Sequence, residues 1–375
     1  MLLYGIKKQA RGVLGKTEET VEAEVPPITG LSWGEGWLEN EIGENRRREG
    51  MNNRDTTVEN GLPVIDLKDY LSGQSASRGP FVADLCDAYE TIGFVGVKGH
   101  GVEESLVRVM YEAAWRFVGL PDEVKARYHR ADLFGQRGYT PKLQEHAKGA
   151  SVGDLKEFYH IGREASCSQS EDAGYPENVW PDEVPEFRDH AINLFEALET
   201  LGHHMLGAIF QGLGVKDRSI LEATRLGNSV LRVAHYFGID DPDSIPEGAV
   251  RAAPHGDINL ITLLVGASSE GLELLRRDGT WWPVSVSPDT IVVNVGDMLE
   301  RLTNGRLRST IHRVVNPPRE TLSEARLSMP FFMHPKASMD LSVIPSCLSD
   351  NDAKRYADIS AGEFLDQRLG EIGLK

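Results

Sequence analysis

A His-x-Asp pair, His255 and Asp257, is followed 55 positions later by His312 and after 14 more by an Arg-x-Ser pair, Arg326 and Ser328. All five fall in or beside short β-branched, apolar runs, so the chain must bring separate strands side by side. Positions i and i+2 of a strand share a face, which lets a His-x-Asp present both side chains to one ion. The third ligand then comes from another part of the sheet. Residues 258–265, 290–295 and 310–315 read as strands, with His312 inside the last of them. By the same alternation Arg326 and Ser328 share one face, and Leu327 and Met329 take the other.

Two imidazoles and a carboxylate occupy one face of a six-coordinate metal and leave three positions open, a donor set suited to Fe(II) with a cosubstrate and O2. A lone His in an apolar strand is usually core packing. Three ligands in register with a following Arg-x-Ser favour the metal instead. The planar guanidinium of Arg326 can grip both oxygens of a carboxylate without losing its charge, and the Ser328 hydroxyl adds one donor. A free dicarboxylate such as 2-oxoglutarate fits that clamp.

Further motifs stand in order along the chain. They are Leu-Pro-Val-Ile-Asp-Leu at 62–67, Ile-Gly-Phe-Val-Gly-Val-Lys-Gly-His-Gly-Val at 92–102, Gly-Leu-Pro-Asp-Glu-Val-Lys at 119–125, and the blocks 254–264 and 308–318. On these the chain resembles the isopenicillin N synthase-like branch of the Fe(II)/2-oxoglutarate-dependent dioxygenases, in its bacterial group, from about Leu62 to Lys375.

The resemblance implies a mainly β fold with flanking helices around a double-stranded β-helix, or jelly-roll, core. It implies Fe(II) on His255, Asp257 and His312, and 2-oxoglutarate held at its far carboxylate by Arg326, Ser328 and Tyr236. With O2 as the third component, decarboxylation to succinate and CO2 is coupled to hydroxylation, desaturation or ring closure of a small organic substrate. Segments 137–140 and 154–160 lie where relatives line the substrate cavity, which makes Arg137, Tyr139, Phe158 and His160 candidate substrate contacts; loop and edge-strand packing is the equal alternative. Two departures stand out. Plant-type relatives carry Asn-Tyr-Tyr-Pro where this chain has Ala234-His235-Tyr236-Phe237, so Tyr236 is kept and the Asn position is Ala234. Gly99 replaces the usual Asn before His100, which reads as a turn residue.

Three other functions stay open on the residues. An isopenicillin N synthase-type oxidase would use the Arg-x-Ser clamp for its substrate's own carboxylate, and a requirement for 2-oxoglutarate separates the two. A Zn(II) hydrolase could use the same ligands, but the chain offers no obvious general base. A non-catalytic binding protein on this fold would turn over no 2-oxoglutarate.

A formal net charge of −17 and a pI near 5.1 argue against nucleic acid or an anionic membrane as partner, and for small molecules. Cys86, Cys167 and Cys347 show neither paired nor metal-ligand spacing. No apolar run approaches the roughly 18 residues of a membrane span, and residues 1–6 are too short for a signal peptide. The expectation is a soluble, cytoplasmic protein, with nothing to set its oligomeric state.

Residues 1–60 mix Glu runs, prolines and an Arg triplet with few apolar positions and are expected to be a disordered leader. Arg48-Glu49-Gly50 before Met51 also suggests that translation starts at Met51. Residues 61–215 are expected to form a helical N-terminal region, with amphipathic helices at 78–92, 103–120 and 186–213. Residues 216–375 are expected to form the jelly-roll core, with turns at Asp278-Gly279 and Asn304-Gly305 and a C-terminal helix at 360–370. His235 should face away from Tyr236, and Arg313 should form an outer ion pair.

Overall fold

Alternating and continuous apolar runs produce thirteen strands among the described residues. In chain order they are β1 (Thr57–Glu59), β2 (Leu62–Asp66), β3 (Phe94–Lys98), β4 (Gly138–Thr140), β5 (Glu157–Gly162), β6 (Val230–Tyr236), β7 (Ala252–His255), β8 (Ile261–Val265), β9 (Leu272–Leu275), β10 (Trp281–Pro283), β11 (Ile291–Val295), β12 (His312–Val314) and β13 (Arg326–Met333). The α-helices are α1 (Leu67–Leu71), α2 (Ser75–Thr91), α3 (Glu104–Val118), α4 (Asp122–Lys125), α5 (Phe187–Gly212), α6 (Ser219–Thr224), α7 (Asp297–Leu302) and α8 (Ala361–Glu371). The computed structural model describes residues 57–146, 152–164, 175–217, 219–266, 271–348 and 353–375. The alternative start at Met51, most of the expected leader and Cys167 lie outside the described residues. Residues 57–60, assigned to the leader on composition, instead belong to the fold, because Thr57–Glu59 pairs antiparallel with β2.

Nine strands form one sheet in the order β1-β2-β3-β11-β8-β13-β6-β5-β4, and four form a second in the order β10-β9-β12-β7. Most pairings are antiparallel; β2 and β3 run parallel. The apolar stripes of α2, α3 and α5 cover one face of the large sheet, where Leu85, Met110, Phe117, Phe187 and Leu198 share a core with Leu231, Leu263 and Phe331. Close approach is needed there: a Cβ on Gly202 of α5 would overlap the Met333 sulfur. The opposite face meets the small sheet, with Phe94 and Val292 packed on Leu272 and Leu274, and Ala234 and Tyr236 on Ala252 and Val314. This double layer with helices outside one face is the jelly-roll core that the strand pattern and the resemblance both imply.

The first half contributes more sheet than its helical periodicity suggests, since β1 to β5 all join the large sheet. Asp278-Gly279 does turn a hairpin, between β9 and β10, with Gly279 at φ 83°. Asn304-Gly305 does not. Both residues are left-handed, and the Gly305 N–H bonds to the Glu300 carbonyl, so the pair ends helix α7 rather than joining strands. Strand β8 starts at Ile261 and not at 258, because the carbonyls just before it are taken elsewhere: Asp257 O by the Asp297 N–H at 2.7 Å, Ile258 O by Met298 and Leu260 O by Gly296. Those bonds seat the first turn of α7 against the irregular segment that carries Asp257.

Candidate metal centre and adjoining cavity

His255 is the last residue of β7 and His312 the first of β12, and the two are direct partners across the small sheet. Asp257 lies two residues beyond the end of β7, just before the bend at 258–260, so the carboxylate is placed by irregular backbone and not by strand alternation. One ligand atom from each of the three lies within 4.8 Å of the others. Asp257 Oδ1 is 3.8 Å from His255 Nε2 and 3.7 Å from His312 Nε2.

The surroundings prepare these atoms for a cation. His255 Nδ1 is 2.7 Å from the Ala253 carbonyl and His312 Nδ1 is 3.1 Å from the Thr310 carbonyl. A carbonyl only accepts, so each ring carries its proton on Nδ1 and turns the Nε2 lone pair inward. Burial, then the neighbouring His312, pushes the His255 imidazole down to about 4, which keeps it neutral and able to ligate. Asp257 Oδ2 accepts from Thr262 Oγ1 at 2.6 Å and from Asn294 Nδ2 at 2.7 Å, which leaves Oδ1 facing the two Nε2 atoms. Burial would raise the Asp257 carboxyl, but the two imidazoles and these hydrogen bonds hold it below its ordinary value.

Thr262 and Asn294 escape sequence reasoning; their signal is a lone polar residue in each of two otherwise apolar strands, Ile-Thr-Leu-Leu-Val and Ile-Val-Val-Asn-Val. Because they orient the carboxylate, Thr262→Val and Asn294→Leu should each weaken Fe(II) binding by about ten- to a hundredfold in a chelator-competition titration.

Strand β13 pairs with β6 so that Arg326 faces Tyr236 and Ser328 faces Ala234, which puts all four on one face of the large sheet. The Arg326 guanidinium carbon is 5.6 Å from the centre of the Tyr236 ring, and that of Arg251 is 5.8 Å from the same ring. Arg251 is buried, donates to the Glu324 carbonyl at 2.8 Å, and has its pKa lowered by burial and by Arg326. Two cations therefore flank Tyr236, where sequence reasoning named one.

A cavity of about 410 Å³ opens beside His255 and Asp257. One wall is a buried ionic network. Arg232 grips Glu145 with two hydrogen bonds of 2.9 and 2.8 Å and donates from Nε to His160 Nε2 at 2.7 Å. Its guanidinium carbon sits 4.0 Å over the Phe158 ring and 5.2 Å from the Phe332 ring. Lys156 joins Glu145 at 2.9 Å and also bonds Asp154. The wall from α8 includes Leu365, Leu369 and Arg368, the last paired with Asp297 at 3.2 Å.

Of the four candidate substrate contacts, His160 lines the cavity. It is neutral, held well below its usual pKa by burial and Arg232, with its Nδ1 proton on the Gly135 carbonyl at 2.6 Å. Phe158 lies under Arg232. Tyr139 does not reach the site: strand alternation turns it to the helix-covered face, against Phe117, where its hydroxyl donates to Glu157. Arg137 is wholly buried behind Gln136 and Asn228. Elsewhere, His235 faces Trp115 and Glu157, His100 accepts from the Val102 N–H in a glycine-flanked turn, and Arg313 pairs with Glu273 at 2.6 Å over Trp281.

Residues 62–183 match the family described as non-haem dioxygenase in morphine synthesis N-terminal, and residues 227–335 match the 2OG-Fe(II) oxygenase superfamily. The 2-oxoglutarate-Fe(II) type oxidoreductase ppzD of Metarhizium rileyi is 30% identical over 331 residues, covering 84% of this chain and 92% of that protein. A 2OG-Fe(II) oxygenase family protein from Caulobacter crescentus has a solved structure that is 37% identical with a TM-score of 0.73, covering 84% of this chain and 99% of the other. A full-length protein of Neurospora crassa, solved in complex with alpha-KG and thymine, is 27% identical with a TM-score of 0.73, over 84% of this chain and 98% of the other.

Proposed function

Because this chain belongs to the 2OG-Fe(II) oxygenase superfamily and is an Fe(II)/2-oxoglutarate-dependent dioxygenase, we propose that His255, Asp257 and His312 hold its iron and that Arg326, Ser328 and Tyr236, backed by Arg251, hold the far carboxylate of 2-oxoglutarate. The observation that carries this reading is the convergence of one atom from each of His255, Asp257 and His312 within 4.8 Å. When bound, Fe(II) with 2-oxoglutarate and O2 supplies oxidation of a C–H bond, with release of succinate and CO2. The protein's own part is placement. Ala253 and Thr310 set the two histidine tautomers, Thr262 and Asn294 aim Asp257, and Arg326 fixes the far end of the cosubstrate by its fork. Phe332, Leu365 and Leu369 exclude water from the cavity, and Arg232 is tied too fully to Glu145 and His160 to act as an acid or base.

The substrate is a small organic molecule that fits about 410 Å³, and its oxidation is a hydroxylation or a desaturation. The Neurospora neighbour's complex with thymine supports a ligand of that size. The net charge of −17 supports the reading that nucleic acid is not the partner. Among the described residues no helix is long and apolar enough to cross a membrane, and we assign the enzyme to the cytoplasm. A division near residue 215, between an N-terminal region and the core that carries the site, belongs to the same reading and is supported by family matches on either side of it.

Anaerobic titration of the Fe(II) protein with 2-oxoglutarate should develop the weak visible band of the metal-bound cosubstrate, and addition of O2 should release succinate. Absence of both would assign Arg326 to the substrate's own carboxylate instead. Arg326→Lys keeps the charge but loses the fork, so the apparent affinity for 2-oxoglutarate should fall about ten- to a hundredfold, in line with roughly 1.5–3 kcal/mol for a charged hydrogen bond. Fe(II) affinity should stay within about twofold, since Arg326 is not among the proposed ligands.

A further inference from the structure

Arg137 is a buried cation with no counter-ion among the described residues. It is 0% exposed, and among the described residues no carboxylate pairs with it. It donates to the Gln136 carbonyl at 2.7 Å and to Asn228 Oδ1 at 2.8 Å, while its Nε has no partner. The seat is purpose-shaped, because a Cβ on Gly162 would overlap the guanidinium. Burial lowers its pKa to about 10, which leaves it charged. An uncompensated buried charge is costly, and this one sits directly behind the cavity wall.

Arg137 also dictates the polarity of what stands in front of it. A guanidinium only donates, so Asn228 must present Oδ1 to it and Nδ2 away from it. Nδ2 then donates to Gln136 Oε1 at 3.2 Å, and the Gln136 amide is left with its NH2 group free of any protein acceptor among the described residues. Gln136 and Asn228 both line the cavity.

His334 lines the same cavity, one strand over: Val230 pairs with Phe332, which brings the segment before β6 alongside His334. Its ring is buried, with Nδ1 lacking any hydrogen-bond partner. Burial and then Arg137 push it down to about 4, so it is neutral. An orphaned lone pair costs less than an orphaned N–H, which puts the proton on Nε2, the nitrogen left to meet a ligand. One end of the cavity thus offers donors, with a positive charge behind them.

We propose that this end of the cavity, formed by Gln136 and His334 and polarised by Arg137 through Asn228, binds the carboxylate of an organic acid substrate and so selects which C–H bond lies over the metal ligands. A carboxylate only accepts, matching two converging donors, and it supplies the charge that Arg137 lacks. The inference rests on the reading that this cavity takes the substrate. Gln136 and His334 are contacts, and Arg137 and Asn228 are positioning residues.

The test uses the full chain loaded with Fe(II) and saturating 2-oxoglutarate, kept anaerobic so that the Arg326 clamp is filled and nothing turns over. Calorimetric titration compares phenylacetate with phenylacetamide and 2-phenylethanol, and cyclohexanecarboxylate with its amide and alcohol. In at least one series the acid should bind roughly tenfold or more tighter than both neutral counterparts, as expected for a charged hydrogen bond. Gln136→Leu and His334→Leu should cut that preference to below about threefold. Asn228→Asp gives Arg137 an internal counter-ion. It should abolish the acid preference while leaving thermal stability equal or higher, an outcome that a merely structural Asn228 would not produce. Neutral probes binding as tightly as the acids, no acid binding at all, or an acid preference that survives Asn228→Asp would each overturn the proposal. Succinate release by the wild type, measured separately, tests the cosubstrate reading, so the two failures are distinguishable.

Discussion

Asp257→Ala is expected to abolish Fe(II) binding and turnover while leaving the chain folded. Loss of an outer-shell partner costs about ten- to a hundredfold in metal affinity, and loss of a ligand that also carries the site's negative charge should exceed that, on the order of a thousandfold or more. What remains is two imidazoles whose ring centres lie 4.4 Å apart, with no carboxylate between them. The fold should lose little, because the two donors that Asp257 releases keep second acceptors, Asn259 Oδ1 at 3.2 Å for Thr262 Oγ1 and the Val295 carbonyl at 3.4 Å for Asn294 Nδ2. Metal analysis of the purified variant beside its melting curve checks both halves. Turnover retained in Asp257→Ala would sink the ligand assignment.

Glu145→Leu should produce the largest loss of stability of any single change at the site. Glu145 is the shared counter-ion of Arg232 and Lys156, and all three are largely buried. Burial on its own would raise the Glu145 carboxyl, but Arg232 and Lys156 hold it well below its ordinary value. Without it Lys156 keeps Asp154, whereas Arg232 keeps, among the described residues, a neutral imidazole and two aromatic faces. Breaking a buried pair from one side costs about 3–5 kcal/mol, since an unpaired charge stays behind. The double variant Glu145→Leu with Arg232→Leu should recover most of that, because no orphaned charge remains. Urea unfolding of the two singles and the double measures the coupling. A single-variant loss below about 1 kcal/mol would mean that water screens the network.

Legibility in the sequence followed the range of the interaction. Helices α2, α3, α5 and α8 lie within a few residues of their expected spans because apolar periodicity and caps are local; Ser360 and Glu363 even complete a capping box at α8. The pairing of His255, Asp257 and His312 and the shared face of Arg326 and Ser328 were readable because their residue types and spacing carry the chemistry. Where the reading relied on local rules alone it erred. Asn304-Gly305 suits a hairpin turn as well as a helix end, and only the Gly305 bond back to Glu300 distinguishes them. Residues 258–260 have strand composition, but α7 claims their carbonyls.

The sequence by itself determined the candidate metal ligands, the grouping of Arg326 with Ser328 and the main helices, since each rests on neighbours a few positions apart or on an unusual set of residue types. Tertiary structure alone decided what stands around them. Thr262 and Asn294 reach Asp257 from two different strands, Glu145 meets Arg232 across 87 positions, and Arg137 meets Asn228 across 91. Tyr139 turned to the core while His160, on the paired strand, turned to the cavity. A buried charge or amide is placed by whichever partner satisfies it, and that partner is set by strand order and register, quantities with no local signature in the chain.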